Sequence, residues 1–196
     1  AGAYRLWQEK SPPRPKDPTP EQRDERDALQ RKLWAEVEAE LEEALTFQKT
    51  IGDVQGQAIN YGIRGNVYLW VLNDMERAQA MFEKDLELID TNGLESDRPG
   101  VLNRLSFVDM RRISSCADSD AKKQLYESAL SRAQQAYDLS KRLEREKDQA
   151  FAGIQLIKVL WDGQSLELAP TYALERIDQV GAELSSTELW AQVPIY

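Results

Sequence analysis

The chain of 196 residues lacks histidine and has one cysteine, Cys116. Without histidine, the sequence excludes His-based acid–base chemistry, Ser–His or Cys–His nucleophile pairs and His-ligated metals. A single cysteine cannot form an internal disulfide, so cysteine usage leaves the redox compartment open. Cys116 lies in a loop of small residues, so a reactive thiol there stays an open alternative, although no adjacent base is evident in the sequence.

Long apolar runs and catalytic motifs are also missing. The longest apolar block, residues 67–72, is far shorter than the roughly 18 residues of a membrane span. There is no phosphate-binding glycine loop, no cysteine pair at metal spacing and no Gly-x-Ser-x-Gly elbow. Asp118-Ser119-Asp120 is too short for a calcium loop and is expected to cap a helix. We therefore predict no catalytic residue, no cofactor and no metal site, and a protein that is not an enzyme.

The chain has fewer basic residues than acidic ones. The chain has 25 Lys and Arg against 34 Asp and Glu, which gives a net charge of -9 and a pI near 4.7. This balance argues against a nucleic-acid surface, because phosphate binding requires clustered Lys and Arg. It favours a basic protein or peptide as the partner.

Residues 1–19 differ in composition from the rest of the chain. They are rich in proline, which prevents a helix and favours an extended linker or tail, and they carry a net positive charge. The aromatic and basic residues near Ala1 are compatible with a membrane tether N-terminal to Ala1. The alternative is a disordered terminus with tag residues. The expected location is either membrane-tethered with a soluble domain or cytoplasmic.

A long helix is predicted to begin at Thr19-Pro20, where Thr19 caps, Pro20 occupies the first helical position and Gln22 closes a capping box. The helix runs for about 30 residues to Gly52. The residues expected on its apolar stripe are Leu29, Leu33, Val37, Leu41, Ala44, Leu45 and Phe47. The acidic run over residues 36–43 is expected to be a solvated face.

Residues 53–93 predict two helices that fold back on each other. Small and apolar residues recur at helical spacing, and the pattern breaks at Asn73-Asp74, where Asp74 is expected to cap the second helix. Gly62 and Gly65 weaken a helix by about 1 kcal/mol each relative to alanine. We therefore expect a neighbouring helix to approach closely at these glycines.

The pattern then repeats. Gly56 and Gly100 are 44 residues apart in matching contexts, and residues 132–137 repeat the pattern of residues 77–82. The further helices are expected at residues 99–113, from 121 to 147, from about 148 to Asp162-Gly163-Gln164, and after Pro170. With residues 185–196 as a C-terminal cap or tail, the prediction is an all-α chain of about seven helices.

The segment Tyr61-Gly62-Ile63-Arg64-Gly65-Asn66-Val67-Tyr68, with the Asn73-Asp74 turn and residues 78–82, resembles a tetratricopeptide (TPR) helix pair of the Gly-Asn-x-Tyr subtype. The resemblance implies a right-handed α-solenoid of helix-turn-helix repeats over residues 20–184. It also implies that the first helix of each pair lines a concave groove that binds a partner segment. The groove residues implied in this way are Ile59, Asn66, Leu69 and Trp70, and, at the 44-residue offset, Asn103, Ser106 and Met110.

Two of these positions have competing interpretations. Met110 stands where Asn66 stood, so a fully polar peptide clamp is not expected. Trp70 is expected in the core on the usual burial of large aromatic residues.

The favoured function is a scaffold or adaptor that binds a partner segment, with assembly or maintenance of a membrane complex as its role if the chain is tethered. One alternative is a regulatory module, sensing a ligand or partner, of a larger signalling protein. Another is a structural protein that self-associates through the long first helix or an open end of the solenoid.

Overall fold

The computed structural model describes residues 19–185, which are all-helical and contain no strand. The linker predicted at residues 1–18 and the cap or tail predicted beyond Ser185 lie outside this range. Over the described range there are seven α-helices, as expected: α1 Pro20–Thr50, α2 Val54–Trp70, α3 Met75–Asn92, α4 Arg98–Ile113, α5 Ser119–Arg142, α6 Glu146–Ser165 and α7 Ala173–Ser185. The chain divides into two compact units, Ala1–Leu88 and Ile89–Tyr196. None of the described helices is both long and apolar enough to span a bilayer.

Helix α1 begins with the capping box that its sequence predicts. The Gln22 amide donates to Thr19 Oγ1 at 3.3 Å, and the Thr19 amide donates to Gln22 Oε1 at 3.1 Å. The helix ends before Gly52, whose φ of 69° lies in the left-handed region that glycine adopts readily. The local signals at both ends therefore set the 31-residue length.

The apolar stripe of α1 was predicted only in part. The buried residues are Trp34, Val37, Leu41 and Leu45, which recur every three or four positions. The prediction omitted Trp34 and was wrong for Leu29 and Phe47, whose side chains are exposed. Phe47 follows Leu45 by two residues, or about 200° around the helix, so the two side chains cannot share a face.

In the first unit, α2 and α3 pack closely at Gly65, as predicted. A Cβ built on Gly65 would lie 2.6 Å from Cδ1 of the buried Phe82 ring, so glycine is needed for this approach. Asp74 Oδ1 accepts the Arg77 amide at 3.0 Å and so caps α3. Gly62 is also buried.

In the second unit, consecutive helices pack on each other and α4 also contacts α6. Five apolar residues of α4 face inward and are buried: Val101, Leu102, Leu105, Val108 and Ile113. Gly153 lies against α7, where its Cβ would be 2.8 Å from Leu184 Cδ1.

Two helix ends differ from the prediction. Helix α5 stops at Arg142, five residues before the expected end, and Glu144 takes a left-handed φ of 54° in the turn that follows. Helix α6 continues through Gly163 to Ser165. Gly163 is a packing residue there, because a Cβ would lie 2.5 Å from Tyr126 Cε2.

Candidate functional site

One side of α2 presents a mixed apolar and amide face in the first unit. Ile59, Asn66 and Trp70 are separated by seven and four residues, which places them on the same side of the helix. Ile59 is 57% exposed and Trp70 is 54% exposed, while Asn66 is half-buried. We call these three residues the α2 face.

The other sides of α2 are occupied by its neighbours within the unit. Toward α1, the buried Asn60 Nδ2 donates to the Leu41 carbonyl at 2.8 Å. Toward α3, Gly65 accommodates the Phe82 ring. The α2 face is therefore the side of the helix that these contacts leave to solvent.

The structure does not group all seven predicted site residues on the surface. Leu69 is 3% exposed and Ser106 is fully buried, so neither side chain is available to a partner. Ser106 Oγ donates to the Ala129 carbonyl at 2.8 Å and accepts from Gln155 Nε2 at 3.4 Å. Leu69 lies about 60–100° around α2 from Ile59, Asn66 and Trp70, and Ser106 lies about 40–60° around α4 from Asn103 and Met110, which is enough to turn both side chains inward.

For Trp70 the difference runs the other way, because burial was predicted and the side chain is exposed. Large aromatic residues are usually buried, and on that ground Trp70 was expected in the core. The spacing from Ile59 already indicated the exposed side, since eleven residues complete almost three full turns of a helix.

On α4, Asn103 and Met110 are seven residues apart and share one side, and both are half-buried. A pocket of about 300 Å³ lies between α4 and α6 in the second unit. Its lining residues are Pro99, Gly100, Asn103, Arg104, Asp148 and Phe151. The structure thus places Asn103 at a cavity and places Met110 two turns further along the same helix.

A charged cluster that the sequence did not predict connects α1 to α2. Arg64 donates to Glu42 Oε2 at 2.7 Å and to Glu38 Oε1 at 3.3 Å, and Tyr68 Oη also donates to Glu38. These carboxylates raise the pKa of Arg64 against the opposing effect of its burial. Burial, followed by the bond to Glu38, raises the pKa of Tyr68. The acidic run was therefore only partly a solvated face.

A second polar cluster is centred on Asp109 of α4. Asp109 is 2% exposed, and its carboxylate accepts from Arg132 Nη1 at 2.7 Å and from Ser128 Oγ at 2.8 Å. Burial raises the pKa of Asp109, although Arg132 and Ser128 act in the opposite direction. Both partners lie on α5, so this cluster joins two helices. The signal in the sequence was an aspartate at an apolar position of α4, which was not recognised as a buried partner of α5.

Other reactive groups are sparse among residues 19–185. No set of three or more Cys, Asp or Glu side chains there is arranged to hold a metal ion. Cys116 is half-buried, and its Sγ donates to the Asp118 carbonyl at 3.5 Å. Asp118 also caps α5 by accepting the Ala121 amide at 2.6 Å, as predicted.

Comparison with known proteins adds no assignment to this geometry: no protein-family model matches the sequence, and no curated protein matches it. There are consequently two separate candidate surfaces, the α2 face in the first unit and the Asn103 side of α4 with its pocket in the second. These surfaces offer apolar contact and amide hydrogen bonding, which suit non-covalent recognition.

Proposed function

We propose that this protein is a non-enzymatic scaffold or adaptor built as a right-handed, TPR-like α-solenoid. It binds a segment of a partner protein through the α2 face and through the Asn103 side of α4. A basic partner, a membrane tether N-terminal to Ala1 and a role in assembling or maintaining a membrane complex remain predictions of this proposal.

The repeat spacing supports the solenoid part of the proposal. Gly65, Asp109 and Gly153 follow one another at intervals of 44 residues, and each lies inside a helix. The two glycines each meet a large side chain of the following helix, Phe82 and Leu184 respectively. Such recurrence is typical of repeat units that bury their apolar sides against neighbours.

The exposure of the α2 face is the observation that carries the binding part. The other sides of α2 are packed, but Ile59 and Trp70, which lie on either side of Asn66, are exposed to water. Grouped exposed apolar residues mark interaction sites more often than isolated ones do. Covering them would contribute about 25 cal/mol for each Å² of apolar surface removed from water.

Site-specific photocrosslinking tests the proposal. The photoreactive residue p-benzoylphenylalanine is placed at Ile59 or Trp70 and, as controls, at Glu83 of α3 or Lys123 of α5, both exposed. The full chain is then irradiated in a cell extract. We expect the same adduct from both α2 positions and much less from either control.

Equal labelling at all four positions would show that the α2 face is not the binding surface. A concentration-dependent adduct of twice the chain mass would instead identify self-association. Asn66→Ala in the Ile59 variant is expected to reduce the adduct, because it removes the only amide of the α2 face.

A further inference from the structure

Gly100 opens the pocket between α4 and α6. It lies in the first turn of α4, and, apart from its two chain neighbours and the adjoining helix backbone, no atom lies within 4 Å of the place where its Cβ would be. Glycine weakens a helix relative to alanine, and here no neighbouring side chain requires it. A glycine that is not needed by the fold, at the wall of a cavity, indicates close approach of something else to the backbone.

Asn103, one turn further along, carries an unsatisfied polar atom. Its Oδ1 is buried and has no hydrogen-bond partner among the described residues. Buried polar atoms are rarely left in this state, so such an atom calls for a partner. The terminal amide torsion of asparagine is soft, so rotation can bring Oδ1 to the pocket side and present it beside the Nδ2 donor.

The remaining walls favour a neutral ligand. Arg104 and Asp148 bring opposite charges to the lining, and Asp148 Oδ2 already lies 2.5 Å from Arg145 Nε. Pro99 and Phe151 add apolar surface. An ion of either sign would therefore meet a like charge as well as an opposite one, so the lining selects neither cations nor anions.

We propose that the pocket binds a primary carboxamide on an apolar body, supplied by a glutamine side chain of the partner protein. In a primary carboxamide, the carbonyl oxygen and one N–H lie on the same edge, so both can pair with the Asn103 amide. In a trans peptide group, the N–H and C=O point in opposite directions and cannot pair in this way. The volume of about 300 Å³ is at the lower end for small-molecule sites and suits one side chain.

This inference rests on the proposed function only in assigning the carboxamide to a protein partner. The site itself can be tested with benzamide. Acetophenone is the matched control probe, because it has nearly the same shape and retains the carbonyl but has a methyl group in place of the NH2 donors.

The experiment is a titration of the ¹⁵N-labelled full chain, followed by NMR. Benzamide is expected to give saturable shifts of the Gly100 amide and of the Asn103 side-chain NH2 signals. Acetophenone is expected to bind about tenfold more weakly, because it leaves Asn103 Oδ1 unpaired. Equal affinities would overturn the carboxamide assignment, and no saturable shift with either probe would overturn the site.

Two glycine variants distinguish the effect of filling the pocket from the effect of replacing a helical glycine by leucine elsewhere. Gly100→Leu places a side chain in the cavity and is expected to abolish the benzamide shifts. Gly181→Leu makes the same change in α7, where the Cβ position is also open, and is expected to leave binding unchanged. Asn103→Leu should reduce benzamide affinity to that of acetophenone. Loss of binding in both glycine variants, or in neither, would contradict the proposal.

The source of the carboxamide is tested with N-acetylglutamine methylamide against its methionine analogue, which has a similar shape. Shifts of the same resonances with the glutamine compound alone support the assignment, and equal behaviour of the two compounds overturns it. Specific crosslinking at Ile59 without benzamide binding would reject the carboxamide site and leave the proposed function standing. Benzamide binding without specific crosslinking would reject the proposed function and leave the carboxamide site standing.

Discussion

Among single residues, Gly65 makes the most direct connection between sequence and packing. An alanine methyl there would overlap the Phe82 ring, which is completely buried. We expect Gly65→Ala to lower the free energy of unfolding by about 1–3 kcal/mol, the usual effect of overpacking a core. Urea denaturation of the variant and the wild type provides the measurement.

The same substitution at Gly181 is the matched control. Its Cβ would meet nothing within 4 Å, so only the gain in helix propensity remains. Gly181→Ala is expected to raise the free energy of unfolding by about 0.5–1 kcal/mol. If the two variants changed stability in the same direction, close packing would not explain Gly65.

Asp109 predicts a distinctive pH dependence of stability. Burial raises the pKa of this carboxyl above 3.8, so the folded state keeps the proton to higher pH than the unfolded state does. As the pH rises from 3.8 through the folded-state pKa, the free energy of unfolding falls, because the unfolded state loses the Asp109 proton more readily than the folded state does. Asp109→Asn retains an acceptor for Arg132 and Ser128 but does not titrate.

The measured quantity is the free energy of unfolding of the wild type minus that of Asp109→Asn, at several pH values on both sides of 3.8. This difference should fall as the pH increases. A difference that rises with pH would mean that Arg132 stabilises the carboxylate by more than burial destabilises it.

At the scale of elements, the two asparagines of α2 separate stability from binding. Asn60 is buried and bonds the Leu41 carbonyl of α1, whereas Asn66 belongs to the α2 face. We expect Asn60→Ala to cost about 1–3 kcal/mol of unfolding free energy, because a buried hydrogen bond is lost. Asn66→Ala should change stability by less than about 0.5 kcal/mol, as surface substitutions do.

The yield of partner adduct at Ile59, divided by the amount of folded protein, should show the opposite order. It should fall in Asn66→Ala and stay unchanged in Asn60→Ala. The thermal midpoint by circular dichroism is the second measurement. A large loss of stability in Asn66→Ala would mean that this residue serves the fold rather than the partner.

Helix starts were predictable from the sequence because their signals are local. Thr19, Asp74 and Asp118 each accept an amide in the turn that they open, and that chemistry involves only nearby residues. Some helix ends were not. Gly163 looked like a stop signal, yet it lies inside α6 because the Tyr126 ring needs the space.

For the whole molecule, net charge predicts how binding depends on salt. With a charge of -9, the protein should attract a basic partner more strongly at low ionic strength. The adduct at Ile59 should fall severalfold between about 50 and about 200 mM NaCl, as charges become screened. A yield that does not change with salt would indicate an uncharged partner held by the apolar residues alone.

The sequence by itself determined that the described chain is helical, where most helices begin and that Gly65 needs a close neighbour, because spacing, capping and glycine content act over a few residues. Only the tertiary structure decided the environment of several individual side chains. It buried Leu69 and Ser106, exposed Trp70, paired Arg64 with Glu38 and Glu42, and placed Asp109 against Arg132. Those outcomes depend on which distant helices meet, and residues about a quarter-turn apart on one helix can therefore have opposite environments.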